Sequence, residues 1–147
     1  MRSFVKVVSI LVFIFLFIKI FFPYYRVQTT SMEPTIKKGQ IIIVNRFQYA
    51  ISTPQMNDIV LFKPLEEVFE KGEWMHRIIG VEGNRVTIEN GKVLVDDKLA
   101  QFPDIEKSEN MEMIVPEGNI FQKGDNVKTI YGLLPVNAIK GKVIFSF

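Results

Sequence analysis

Three short segments of the 147-residue chain carry side chains able to attack a carbonyl or move a proton. In residues 29–35 (TTSMEPT), Ser31 stands just before a proline turn, a place where a hydroxyl can be presented on an exposed loop. The same Ser-x-x-Pro spacing serves turns and helix caps equally well. A serine nucleophile needs a base within hydrogen-bond reach. His76, in residues 74–79 (WMHRII), is the sole imidazole of the chain, although a histidine among apolar neighbours also reads as a packed residue. The third segment, Gly124-Asp125-Asn126, sets a carboxylate in a turn, which is also ordinary turn chemistry. Cysteine is absent, which excludes thiolate nucleophiles, disulfides and thiolate metal sites. A zinc site built on one histidine would have to recruit carboxylates, so neither a metal nor an organic cofactor is expected.

The elements that position these residues fall into two parts. Six of the 13 phenylalanines lie in the first 22 residues, and residues 4–22 (FVKVVSILVFIFLFIKIFF) form an apolar run. As a helix rising 1.5 Å per residue, such a run covers a hydrocarbon core of about 30 Å. Lys6 and Lys19 sit near its ends, where their ammonium groups can reach the headgroups, and Tyr24 and Tyr25 follow where interfacial aromatics belong. A cleaved secretory signal would have the same basic start and apolar stretch. The residues that follow, Phe21 to Arg26, are large where a signal-processing enzyme requires small ones. Residues 1–26 are therefore expected to be an uncleaved transmembrane anchor, and residues 27–147 a separate β-rich domain. Arg26, Lys37 and Lys38 follow the span about as densely as Arg2 and Lys6 precede it, so charge alone does not orient it.

All 16 acidic residues follow Pro23, with 15 of the 18 basic ones, so the part beyond the anchor carries a net charge of −1. That balance does not suit nucleic acid, and no nucleic-acid partner is expected. Short β-branched runs recur at 41–44, 59–62, 78–81, 85–88, 92–95 and 142–145, each bounded by turn formers. Asn90-Gly91 is a two-residue hairpin signal, and Asp96-Asp97 closes another turn. The expected fold is mainly β, a partly closed barrel or sandwich below one membrane helix. The charged stretch 66–73 (EEVFEKGE) reads as a solvated loop between strands.

Taken together, the segments resemble the type I signal peptidases, membrane-anchored serine proteases of β-rich fold. Ser31-Met32-Glu33-Pro34-Thr35 is similar to the family's nucleophile box, and residues 57–62 (NDIVLF) to its Gly-Asp-led strand. Residues 76–84 (HRIIGVEGN) resemble its general-base box, residues 115–126 (VPEGNIFQKGDN) its Gly-Asp-Asn box, and residues 139–143 (IKGKV) its closing strand. Most bacterial members have lysine at the base position. A histidine followed by arginine resembles the subclass of the endoplasmic reticulum, archaea and some Gram-positive bacteria. The exchange is sound chemistry, since imidazole, with a reference pKa of about 6.5, suits proton transfer near neutrality without the desolvation that lysine requires.

The resemblance implies a signal peptidase I that removes signal peptides from secretory preproteins after small-x-small sites. Ser31 would be the nucleophile and His76 the base, with the Ser31 N–H and the Thr29 hydroxyl as oxyanion donors. Asp125 would either orient His76 or hold Arg77 in an ion pair. The substrate would add as a β-strand near residues 41–44 and 74–77. It also implies a single-pass protein of the cell membrane, its N-terminus inside and its catalytic domain outside against the lipid; Trp74 would either dip into lipid or pack in the core. One departure stands out: family members carry a second Asp or Ser five to seven residues beyond the Gly-Asp-Asn aspartate, and this chain runs VKTIYG over 127–132. The rival readings are a specialised enzyme for a pilin or biofilm-matrix protein, and a non-catalytic assembly factor of the same build. The self-cleaving repressor-type Ser-Lys proteases are cytosolic, and the apolar segment 4–22 speaks against them.

Overall fold

The computed structural model describes residues 2–64, 72–100, 103–106 and 108–147. Most of the charged stretch 66–73 lies outside the described residues. The chain opens with helix α1 (Arg2–Phe21) and continues through β1 (Tyr24–Arg26), β2 (Ile41–Asn45), the short helix α2 (Gln48–Ile51), β3 (Ile59–Phe62) and β4 (Trp74–Val81). It ends with β5 (Arg85–Glu89), β6 (Lys92–Val95), β7 (Lys98–Leu99), β8 (Met111–Ile114), β9 (Asn119–Lys123), β10 (Tyr131–Pro135) and β11 (Ile139–Ser146). Two antiparallel sheets result, one of seven strands in the order β1-β2-β11-β3-β4-β9-β10 and one of four in the order β7-β6-β5-β8. The mainly β architecture agrees with the sequence reading.

Helix α1 is exposed from Phe4 to Ile20, and residues 4–21 form one helix long and apolar enough to cross a membrane. Its last residue, Phe21, falls one short of the end of the apolar run 4–22. Tyr24–Arg26 pairs with Ile41–Ile43 as the edge strand of the large sheet. The junction is fixed by backbone bonds, Arg46 N–H to the Phe21 carbonyl and Val44 N–H to the Pro23 carbonyl, both 3.0 Å. Lys19 folds back over the Tyr24 ring, 5.2 Å from its centroid, which keeps the ammonium at the end of the apolar stretch.

The predicted hairpin forms. Asn90 and Gly91 have φ of 49° and 83°, the positive values a tight turn of this hand demands, and they join β5 to β6. The small sheet buries Val86, Ile88, Val93 and Val95 against Ile79 and Phe121 of the large one. A second cluster gathers Met32 and Ile36 with Ile42, Val44, Leu61 and Met75. Met32 is fully buried, so the loop that carries Ser31 is pinned from below. Truncating such a side chain to alanine typically costs about 2–5 kcal/mol. Asp58 receives Lys142 Nζ at 2.6 Å and Tyr49 Oη at 2.9 Å, which ties β11 and α2 to the start of β3.

Candidate active site

Alternation along β4 decides which residues can meet. Successive side chains of a strand face opposite ways, so His76 and Arg77 leave β4 on different faces. His76 pairs with Val60 and Arg77 with Ile59 on β3. On the other flank, Arg77 lies opposite Lys123 and Ile78 opposite Gln122 of β9. Gln122 is therefore the diagonal, same-face neighbour of His76, within reach of a long side chain.

Ser31, His76 and Thr29 line one cavity of about 220 Å³, whose other walls are Trp74, Thr129 and Ile130. Ser31 Oγ donates to the Met75 carbonyl at 3.3 Å and lies 3.2 Å from Thr29 Oγ1. Among the described residues, Ser31 and His76 share no direct hydrogen bond, and the Ser31 N–H meets no acceptor. The two side chains are thus brought to one cavity with the hydroxyl parked on the backbone of the residue preceding the base.

The nucleophile loop is held by the segment that follows β9. Asn126 N–H donates to the Ser31 carbonyl at 3.0 Å, Thr129 Oγ1 donates to the same oxygen at 3.3 Å, and Asn126 Nδ2 donates to the Thr30 carbonyl at 3.2 Å. Glycine at 124 is required by this approach. A Cβ there would lie 2.4 Å from the Ser31 carbonyl oxygen and 2.5 Å from Thr129 Cγ2.

His76 is 1% exposed. Its ring packs against Phe62 and Trp74, with centroids 5.4 and 5.9 Å away, and its Nδ1 is hydrogen-bonded to Gln122 Oε1. Burial pushes the imidazole pKa down to about 4, helped by the Lys123 charge and opposed by the Gln122 hydrogen bond and Asp125. The ring is therefore neutral at neutral pH, the form that accepts a proton. Trp74 is half-buried, lines the cavity and packs its ring against Phe62.

Asp125 does not reach His76. Arg77 grips it through two hydrogen bonds, Nε to Oδ1 at 2.9 Å and Nη2 to Oδ2 at 2.6 Å, while Arg77 Nη1 donates to the Asn57 carbonyl at 3.1 Å. Of the two roles open to Asp125, the geometry takes the ion pair. Lys123 is buried on that same face, its Nζ donating to the carbonyls of Gly124 at 2.7 Å and Asn126 at 3.3 Å, and burial lowers its pKa. Sequence reasoning missed both Gln122 and Lys123. Their signal was slight, a pair of polar residues after Ile120-Phe121 inside the box 115–126.

A family model described as signal peptidase, peptidase S26, matches residues 1–147. The chain belongs to that family. Among curated members, it is 30% identical over 134 residues to a probable signal peptidase I-1 of Synechocystis, a match covering 82% of this chain and 68% of that one. It is 28% identical to a signal peptidase I of Bacillus caldolyticus, over 86% of this chain and 79% of the relative. Thylakoidal processing peptidase 1 of Arabidopsis thaliana is 29% identical over 82% of this chain, which spans 40% of that longer protein. The signal peptidase resemblance read from five short boxes thus extends over the whole sequence.

Proposed function

We propose that the chain is a serine endopeptidase that removes N-terminal signal peptides from secretory preproteins, with Ser31 as nucleophile and His76 as general base. The observation that carries this is the meeting of a serine hydroxyl and a neutral, buried imidazole on one small cavity. Names of its relatives as signal peptidases and processing peptidases give the reaction class.

In the reaction, a substrate carbonyl enters the cavity and Ser31 Oγ leaves the Met75 carbonyl for His76. Such hydrogen bonds often form only once substrate is bound. Ser31 Oγ attacks, His76 takes the proton and returns it to the departing amine, and water then releases the acyl group by the same route reversed. The oxyanion is received by the Ser31 N–H, which has no acceptor among the described residues, and by the Thr29 hydroxyl. At about 220 Å³ the cavity lies below the ~300–1,000 Å³ of sites built for larger ligands, and it accepts a small side chain. That matches cleavage after small-x-small sites. A longer cleft beside it, lined by Tyr25 to Thr29 and Glu73 to Met75, offers strand edges to an extended peptide.

Within the family we assign the chain to the histidine subclass typical of the endoplasmic reticulum and archaea, on His76-Arg77. Helix α1 is a single membrane anchor, and the β-rich part from Tyr24 onward is an extracytoplasmic domain lying against the lipid. A narrower substrate range is favoured by one feature, the lack of the second Asp or Ser usual five to seven residues beyond Asp125, where this chain runs VKTIYG over 127–132, two of whose residues wall the cavity. The deciding experiment is cleavage of a preprotein with an Ala-x-Ala site by the detergent-purified chain, beside Ser31→Ala and His76→Ala. Each variant is expected to lose at least about 10³-fold in rate. Equal cleavage by Ser31→Ala would end this reading, and no cleavage by a folded parent would move weight to a dedicated substrate or to an assembly factor.

A further inference from the structure

We propose that Gln122 is the positioning residue of the base, supplying through a neutral side-chain carbonyl the orienting contact that Asp125 does not make. The inference rests on the assignment of His76 as base and concerns which ring nitrogen carries its proton.

To take a proton from Ser31, the imidazole must present a nitrogen lone pair to the cavity. Its other nitrogen must then carry hydrogen, and a buried N–H needs an acceptor. Among the described residues, Phe62, Trp74 and Gln122 make the ring's aromatic and hydrogen-bonded contacts. Phe62 and Trp74 meet it as aromatic surfaces and offer no oxygen. Gln122, on β9, bonds Nδ1 through Oε1. An Nδ1–H facing that carbonyl leaves Nε2 as the acceptor, in the tautomer a general base requires. The two rings hold the imidazole plane and the amide holds its rotation and proton.

The charged groups about this arrangement are Lys123 on β9, Arg77 on the opposite face of β4 and Asp125 beyond β9, and Arg77 and Asp125 satisfy each other. A carboxylate at 122 would put a full negative charge against the ring. Glutamine orients the ring without that charge, so the base stays neutral and ready while buried.

The chain has one histidine, so its ring nitrogens give one pair of ¹⁵N signals in the full-length protein in detergent. At neutral pH the parent should show a protonated Nδ1 and an unprotonated Nε2. In Gln122→Leu, the tautomer should become mixed or reversed. Its kcat on an Ala-x-Ala preprotein should fall about 10²–10⁴-fold with KM little changed, as expected when a base is left in the wrong tautomer. Gln122→Glu, which keeps an acceptor in place, should retain the Nδ1–H form, recover most of the activity lost in Gln122→Leu and move the acid limb of the rate profile to higher pH. A parent with protonated Nε2 overturns the proposal, as does a Gln122→Leu protein with unaltered tautomer and kcat. Should Gln122→Leu fail to fold, the parent and Gln122→Glu spectra still decide. The nitrogen signals need no turnover, so a parent with the right tautomer and no cleavage would count against the peptidase reading and leave the Gln122 contact standing.

Discussion

Two neighbours on β4 solve the problem of a buried ionisable side chain in opposite ways. Arg77 keeps its charge and is matched by the carboxylate of Asp125, itself 4% exposed, in a two-point contact. His76, facing the other way, meets a neutral amide and two rings and gives up its charge. Desolvating an ion is tolerable only when a partner repays it, whereas a buried imidazole escapes that cost by staying neutral. The Arg77 face therefore braces the Gly124 loop under Ser31, while the His76 face lines the cavity that also holds Ser31.

The largest effect should come from breaking the charged face. Asp125→Asn takes from the largely buried Arg77 guanidinium the carboxylate that holds it at two points and should cost about 3–5 kcal/mol in urea unfolding. The double replacement Arg77→Met, Asp125→Leu should restore much of that loss, since an apolar pair carries no desolvation cost. If Asp125 instead served His76, Asp125→Asn would lower kcat steeply with little loss of stability.

Next comes the reactive face. Thr29→Val keeps the shape and removes a hydroxyl 3.2 Å from Ser31 Oγ. For an oxyanion donor, kcat should fall about 10²–10³-fold, equivalent to about 2.7–4 kcal/mol, with unfolding unchanged. Thr29→Ser should retain most of the rate. A Thr29→Val enzyme at full kcat would leave the backbone N–H of Ser31 as the donor that matters.

The neutral His76 makes stability depend on pH in a definite window. Above pH 6.5 the imidazole is uncharged both folded and unfolded, and it has no effect. Between pH 6.5 and about 4 the unfolded chain takes a proton that the folded one refuses, so stability falls as pH falls. At about 1.4 kcal/mol per pH unit the loss reaches roughly 3 kcal/mol and then levels off. Carboxylates titrate near the lower end, so the measurement is the difference between parent and His76→Asn across pH 7 to 4. A flat difference would mean that the ring is wetter than its packing indicates.

Much of this was legible before any coordinates. The hairpin at Asn90-Gly91 and the strands at 41–44, 59–62, 85–88 and 92–95 follow from turn chemistry and β-branched runs. Strands β8 and β10 were not foreseen. Met111–Ile114 alternates with one glutamate on its exposed face, and β10 ends in Pro135, a residue a strand tolerates at a sheet edge. Strand β9 was hidden differently. Its Gln122 and Lys123 are buried on opposite faces, so neither alternation nor an apolar run announced it. Ser31 and His76 were found as residue types in recognisable boxes. The partner of His76 could not be found that way, because it depends on a register between β4 and β9, strands more than 35 residues apart in sequence.

The smallest effect belongs to a second arginine–carboxylate pair, and it sharpens the contrast most cleanly. Arg85 and Glu112 join β5 to β8 on the small sheet, with Nε 3.5 Å from Oε1 and side chains 50% and 63% exposed. The chemistry is that of Arg77 and Asp125, but water already solvates both ions. Neither partner is left uncompensated when the other is neutralised, and ordering two long side chains offsets much of the attraction. Glu112→Gln should therefore change unfolding free energy by no more than about 0.5 kcal/mol, with even that difference vanishing in 1 M salt. Asp125→Asn should keep most of its larger penalty under the same salt, because a largely buried pair is screened much less. Equal losses at the two sites would show that exposure is not what separates them.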